Sequence, residues 1–323
     1  MKKCISFFTA LLLLAVTACT GKQNTSAGNE SDSTQTESQN PETIVADDGK
    51  PKPVFAFCDG QSTLQVIYWT GIDRPDESCD EEVKIEWAKQ DLLRHKSGDY
   101  TQIVEGNNVY DVVYERDIEP AEDDFLGAVR TNNERMPGLV YQFANPSVTA
   151  EELGYCFPLL LPKGYLNNTH RSLLSVKNYD WEGVCDDLPL SSVVVAQLEK
   201  RYDMKATRSH TAAIIDDHYE FGLVQFAPKN KKALALLVLV DGETIATCEQ
   251  EGDYFEEDDE CCWNVDDGGF FLPTNVVCAI RTDGDLTIYT RHYASESSTL
   301  GWLEVKGNKL VEHTFASYYM MYD

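Results

Sequence analysis

From about residue 206 onward, apolar positions either alternate with polar ones or gather in runs of strand length. The pattern predicts strands at 207–215, 219–227, 233–240, 244–249, 275–282, 286–293, 300–305 and 309–319. Asp216-Asp217, Pro228-Lys229-Asn230, Asp241-Gly242, Asp283-Gly284 and Gly307-Asn308 separate them, residue types suited to tight turns. Short connections favour antiparallel neighbours, since parallel ones need a long crossover. The expectation is an antiparallel β meander able to curl toward a barrel. The Asp-Gly hairpins recur without a fixed spacing, which argues against a propeller.

The first half mixes both periods. Strand patterns at 54–58 and 64–69 flank Asp59-Gly60, and those at 100–104 and 109–116 flank Gly106-Asn107-Asn108. Runs 139–143 and 157–161 also read as strands. Helical spacing appears at Ile85, Ala88 and Leu92, widened by Val83 and Trp87, between an Asp80 N-cap and a Gly98 stop. A short helix is expected from Pro120, carrying Phe125, Leu126 and Val129. Leu190, Val194 and Leu198 give a further helix over 188–204, with Pro189 in its first turn. Three consecutive valines there lower helix propensity and keep a strand reading open. The fold class is α+β, mainly antiparallel β in the C-terminal half, with a few helices packed from the N-terminal half. Residues 54–204 form an α+β region and 205–323 an antiparallel β region; 54–323 also reads as one domain.

Ahead of these lies a different composition. Lys2 and Lys3 precede an apolar run at 5–16, and Val16-Thr17-Ala18-Cys19 follows, the three-part build of an export leader. That ending resembles the lipobox of bacterial lipoproteins. The resemblance implies a signal peptide at 1–18 and lipidation of Cys19, which becomes the mature N-terminus. Each buried CH₂ of an acyl chain contributes about 0.8 kcal/mol, so the two or three chains of such proteins hold firmly. Residues 19–53, rich in Ser, Thr, Asn, Gln and Glu, have little to bury and read as a tether spanning roughly 30 Å. No later apolar run approaches the ~20 residues of a spanning helix. Thr20-Gly21 lacks the Asp after Cys associated with inner-membrane retention, and the first acidic residue is Glu30. The expected location is therefore the cell envelope, as an outer-membrane lipoprotein facing the periplasm. Surface display is the second choice.

Charge sharpens the picture. The formal net charge is −27, and loss of Lys2 and Lys3 with the leader makes the remainder more negative. This excludes a nucleic-acid footprint, which needs a basic stripe, and opposes adsorption to anionic lipid. Of the 10 cysteines, Cys4 leaves with the leader and Cys19 is the lipidation site. Cys58, Cys79, Cys156, Cys185, Cys248, Cys261, Cys262 and Cys278 remain, an even number, which reads as disulfides in an exported chain. Local pairing would join Cys58 to Cys79 and Cys156 to Cys185, with Cys248 and Cys278 taking Cys261 and Cys262. A four-cysteine zinc site from the last group is disfavoured by its spacing.

Candidate chemistry is sparse. Residues 249–269 are strongly acidic, and Asp258, Asp259, Asn264, Asp266 and Asp267 are candidate ligands for Ca²⁺, which takes about six to eight oxygens. The bland reading is an exposed acidic loop. H-E-x-x-H, G-x-S-x-G and G-x-x-x-x-G-K-[ST] do not occur. Ser209-His210 and Asp216-Asp217-His218 could form a Ser/His/Asp grouping if their strands paired suitably. Tyr289, Tyr293, Phe315, Tyr318, Tyr319 and Tyr322 are either a glycan-stacking platform or ordinary packing of the last strands. The expected function is a lipid-anchored, non-enzymatic binding or structural module with a protein or glycan partner. An extracytoplasmic hydrolase acting on glycan or peptide is the alternative.

Overall fold

The computed structural model describes residues 51–60, 64–67, 99–118, 128–129, 138–179, 188–255, 260–261, 273–293 and 297–320; for 64–67, 128–129, 260–261, 297 and 316–320 it describes the backbone alone. The expected helices at 80–98 and from Pro120 lie outside these residues. The N-terminal strands are β1 (Val54–Phe55), β2 (Phe57–Asp59), β3 (Leu64–Ile67), β4 (Tyr100–Glu105), β5 (Asn108–Ile118), β6 (Ala128–Val129), β7 (Gly138–Phe143), β8 (Tyr155–Cys156) and β9 (Leu159–Pro162). One short helix, α1 (Ala150–Leu153), precedes β8 and carries a capping box between Thr149 and Glu152.

Eight of these strands form one sheet in the order β1-β9-β4-β5-β7-β3-β2-β8. β1 and β2 are one strand interrupted at Ala56, and β8 and β9 are likewise successive. Because β1 pairs with β9 and β2 with β8, the sheet returns on itself. The Ala56 amide donates to the Pro158 carbonyl at 2.8 Å and bridges the interruption.

The C-terminal half contains β10 (Arg171–Leu174), β11 (Val176–Asn178), α2 (Ser192–Tyr202), β12 (Ala206–Ile215), β13 (Tyr219–Phe226), β14 (Lys232–Asp241), β15 (Thr244–Phe255), β16 (Glu260–Cys261), β17 (Thr274–Thr282), β18 (Asp285–Tyr293), β19 (Ser297–Lys306) and β20 (Lys309–Met320). Each expected strand is present, and β15 runs six residues beyond its expected end at 249. The meander consists of two antiparallel runs, β12 to β15 and β17 to β20. They join on one side through β15 and β20, which are parallel and share one register pair, Thr247 with Lys309. On the other side β10 pairs with β17 and β11 with β12, so the consecutive segments 171–174 and 176–178 bridge the gap. The result is a large, near-closed, barrel-like sheet in a mostly β chain.

Packing follows from which face each residue takes. Ile215, Phe221, Leu223, Leu237, Leu239, Ala246, Val276, Ala279, Ile288, Leu303 and Leu310 fill the barrel. β14 is buried along its length. Its other face, with Leu234, Leu236, Val238 and Val240, packs under Leu190, Val194 and Leu198 of the α2 segment. That explains the continuous apolar run at 233–240: alternation disappears where both faces are covered. Outward residues of β17 to β20, including Val277, Cys278, Ile280, Tyr289, Leu300 and Phe315, pack against Phe55, Phe57, Ile103 and Leu159 of the N-terminal sheet. The Phe55 ring lies 5.3 Å from Phe315 and 6.1 Å from Tyr289. All described residues belong to one compact unit spanning Pro41–Asp323. Register shifts at Val276/Cys278 and Leu300/Gly301 mark where these walls bend.

Candidate functional site

At one end of the barrel the apolar filling gives way to polar side chains. The register accounts for this. Leu237 of β14 faces Cys248 of β15, and Ala235 faces Gln250 one step further along. Across the barrel, Ile288 is followed on the same face of β18 by Thr290 and His292; Thr290 opposes Val276, and His292 opposes Thr274. Leu303 of β19 opposes Glu312 of β20. The inward series thus changes from Leu and Ile to Thr, His, Gln and Glu within two alternations.

These groups form a connected row. Thr274 Oγ1 and His292 Nδ1 are 2.7 Å apart. His292 Nε2 lies 3.0 Å from Glu312 Oε1. Gln250 Nε2 donates to Glu312 Oε2 at 2.5 Å, and the Cys248 thiol approaches the same oxygen at 3.9 Å. Burial alone would raise the Glu312 carboxyl, but its contacts with His292, Gln250 and Cys248 outweigh that and hold it below the usual carboxylate range. Burial and the adjoining Glu312 charge push the Cys248 thiol up to about 12, so it is a neutral donor. Thr290 Oγ1 and Gln225 Oε1 are buried without a hydrogen-bond partner.

The row holds a hydroxyl, an imidazole and a carboxylate, the member types of a nucleophile–base–acid series. Thr274 is fully buried and His292 is 3% exposed. With Nδ1 bonded to Thr274 and Nε2 beside the Glu312 carboxylate, the arrangement ties three strands together.

A second cluster sits between the two sheets. Cys58 of β2 is directly opposite Cys156 of β8. Arg291 of β18 lies over the rings of Tyr293, Phe157 and Tyr155 at 4.3, 4.6 and 5.7 Å. Its guanidinium donates twice to Ser298 Oγ, at 3.0 and 3.1 Å. Glu105, at the end of β4, acts electrostatically on Cys58, Cys156 and Cys278, and Arg291 acts on Glu105. Burial pushes the Glu105 carboxyl up to about 7, with Arg291 pulling the other way.

The residues singled out by sequence fall in several places. Ser209 and His210 sit mid-strand on β12, where His210 opposes Leu223. Asp216 and Asp217 take positive φ in the turn beyond β12. Asp216 reaches Arg281, and His218 pairs with Asp241 at 2.7 Å. The imagined Ser/His/Asp grouping therefore does not assemble: Ser209 and His210 sit mid-strand, while Asp216 and His218 lie at the turn beyond and pair with Arg281 and Asp241. Tyr289 and Phe315 are core residues, not a stacking platform, because they face the N-terminal sheet. Side chains of Tyr318 and Tyr319, and Tyr322 altogether, lie outside the described residues.

The candidate calcium residues Asp258, Asp259, Asn264, Asp266 and Asp267 also lie outside the described residues. Among the described residues, no group of three or more His, Cys, Asp or Glu side chains is placed to hold a metal ion. Cys58, Cys156, Cys248 and Cys278 are free thiols here. Cys79, Cys185 and Cys262 lie outside the described residues, and Cys261 is described through its backbone alone. The register sets Cys58 against Cys156, which is not the local pairing expected from spacing. Cys19 and the leader likewise lie outside the described residues. Among the described residues, no helix is long and apolar enough to cross a membrane.

The polar row was missed because its members are scattered through four strands. The one available signal was the run of inward-phase polar residues on β18, Thr290 and His292, following Leu286 and Ile288. No protein-family model, curated protein or solved structure matches the chain.

Proposed function

We propose that this chain is a lipid-anchored protein of the cell envelope whose folded body is a non-enzymatic binding or structural module. The observation that carries the reading is Val16-Thr17-Ala18-Cys19 at the end of a charged-then-apolar leader. Supporting it, residues 19–53 have the composition of a tether, and the strongly negative body would not adhere to anionic lipid unaided. The chemistry-bearing groups in the barrel hold one another, which suits a rigid module better than a reaction centre. Contact with a protein or glycan partner would fall to exposed ring surface such as Tyr155, which is 48% exposed and stacks edge-on against Phe57 and Phe157.

The full chain and Cys19→Ala, expressed in a bacterial host, test this. Palmitate labelling and membrane partition are expected for the first and absent for the second. An unlabelled wild-type chain retaining Met1 would overturn the anchor. For the binding role, a photoreactive residue at Tyr155 is expected to trap an envelope macromolecule in intact cells; irradiation yielding no adduct there would overturn the assigned contact surface.

A further inference from the structure

Cys58 and Cys156 meet where the N-terminal sheet closes. β2 and β8 share two register pairs, Cys58 with Cys156 and Asp59 with Tyr155. Directly opposed residues of antiparallel strands hold their Cα atoms about 4.5–5.5 Å apart. That falls inside the window of about 4.4–6.8 Å that a disulfide spans. Both side chains enter the same buried cluster, so they leave the sheet on one face. Other thiols fit less well: Cys248 opposes Leu237 and packs with the barrel filling, and Cys278 opposes Tyr289.

We propose that Cys58 and Cys156 are a disulfide pair in the exported protein, joining β2 to β8 across the closing seam of the N-terminal sheet. The idea rests on the envelope reading for its oxidant, a protein or small-molecule disulfide. One thiolate attacks a sulfur of that disulfide, forming a mixed disulfide and expelling one thiolate. The second cysteine's thiolate then attacks the protein-side sulfur and expels the other. Two S–H bonds are lost, one S–S bond forms, and the oxidant leaves as two thiols carrying the two electrons, with protons exchanged through water. Both sulfurs are buried in the finished fold, Cys58 completely. Oxidation therefore precedes final closure of the seam, and the bond resists reductant until the sheet opens.

The seam also has a physical use for such a bond. The ladder at this seam is interrupted: β1–β9 and β2–β8 contribute two register pairs each, joined by the Ala56–Pro158 hydrogen bond. Elsewhere in the same sheet β5 and β7 share six register pairs. A covalent link at β2–β8 holds one end of this interrupted ladder while leaving the barrel untouched.

The test is disulfide mapping by mass spectrometry on the full chain recovered from bacterial envelope. Free thiols are blocked with N-ethylmaleimide in denaturant, and digestion follows without reduction. Nearly all Cys58 is expected in a peptide linked to Cys156. Cys58 recovered alkylated, or linked to Cys79, would overturn the proposal. A second sample, unfolded, reduced and refolded with oxidised and reduced glutathione, is expected to give the same linked peptide. A link in the refolded sample alone would also overturn the proposal for the exported protein, and would place the fault in the compartment rather than the geometry. Absence from both would fault the geometry and leave the Cys19 anchor standing. In the Cys58→Ser variant, Cys156 is expected to become alkylatable in denaturant, a readout that does not depend on the variant folding.

Discussion

Glu105 offers the most direct test of how the two sheets pack. Its carboxyl ends β4, faces Cys58, Cys156 and Cys278, and keeps one buried oxygen, Oε2, without a hydrogen-bond partner. Burial raises its pKa to about 7 from an ordinary 4.5. The folded state therefore binds more protons than the unfolded state between those values, and stability falls as pH rises through that window. The stabilising effect of protonation is whole below about pH 4.5, and the penalty of ionisation is complete somewhat above pH 7. At about 1.4 kcal/mol per pKa unit, the penalty at pH 8 is about 3 kcal/mol. Glu105→Gln keeps the shape and removes the ionisation. The variant is expected to gain about 2–3 kcal/mol at pH 8 and less than about 1 kcal/mol at pH 5, raising Tm at the higher pH by about 4–12 °C for a body of this size. Arg291 loses an attractive charge but keeps Ser298 and three ring faces, so its loss is the smaller effect. Thermal melts followed by circular dichroism from pH 5 to 8 would decide. An unchanged slope of stability against pH in the variant would refute the reasoning, as would a variant less stable than wild type at pH 8. Either result would mean that Glu105 is ionised and well paired in the fold.

Two further perturbations probe the barrel. Glu312→Ala removes the shared acceptor of His292, Gln250 and Cys248. Leaving buried donors unsatisfied should cost about 1–3 kcal/mol by urea unfolding. Because the Glu312 pKa is lowered in the fold, wild type should lose this stability as pH falls below about 4.5, and the variant should not. Gly222→Ala adds a Cβ that would sit 2.5 Å from the His210 carbonyl oxygen and 2.9 Å from Leu190 Cδ2, on the covered outer face of β13. Overpacking of that kind costs about 1–3 kcal/mol, and a variant melting with wild type would show that the β12 backbone at His210, and not only Leu190, gives way without cost.

Much of the C-terminal half was legible because its strands carry their own punctuation. Asp216 and Asp217 both take positive φ, as a tight hairpin of that hand requires, and Asp283-Gly284 and Gly307-Asn308 mark reversals just as local. Long-range pairing carries no such mark. Nothing in residues 309–320 announces a parallel seam with β15, and nothing in 171–178 announces a strand shared between β17 and β12. Both are set by where the ends of two four-stranded runs meet. The helix expected over 188–204 is shorter at both ends, Ser192–Tyr202, for a local reason. The Leu188 carbonyl is taken by the Thr211 amide, and Asp203 turns left-handed at φ 52. The short α1 escaped notice although Thr149 and Glu152 stand at capping-box spacing, because four residues leave no period to read.

The site was harder to read for a deeper reason. Hydrophobic alternation tells which residues face a common interior, but it does not say which interior. Cys278 and Val276 lie two residues apart on β17 and alternation would put them on one face. The shift between them sends Val276 into the barrel and Cys278 toward the N-terminal sheet. Arg291 and His292 are adjacent, and each is buried, one under the rings of Tyr155 and Phe157 and the other against Thr274. A single charged stretch of β18 thus supplies two clusters on opposite sides of one wall. The first cluster borrows residues from the sheet formed by 54–162 and the second from β15 and β20. A sheet covered on both faces erases the polar side by which an exposed strand is oriented. Chemistry placed on such a strand becomes visible only once each face has a partner. Arginine and histidine at 291 and 292 of β18 could therefore be taken from the sequence as surface charge, although they are among the most enclosed polar groups in the fold.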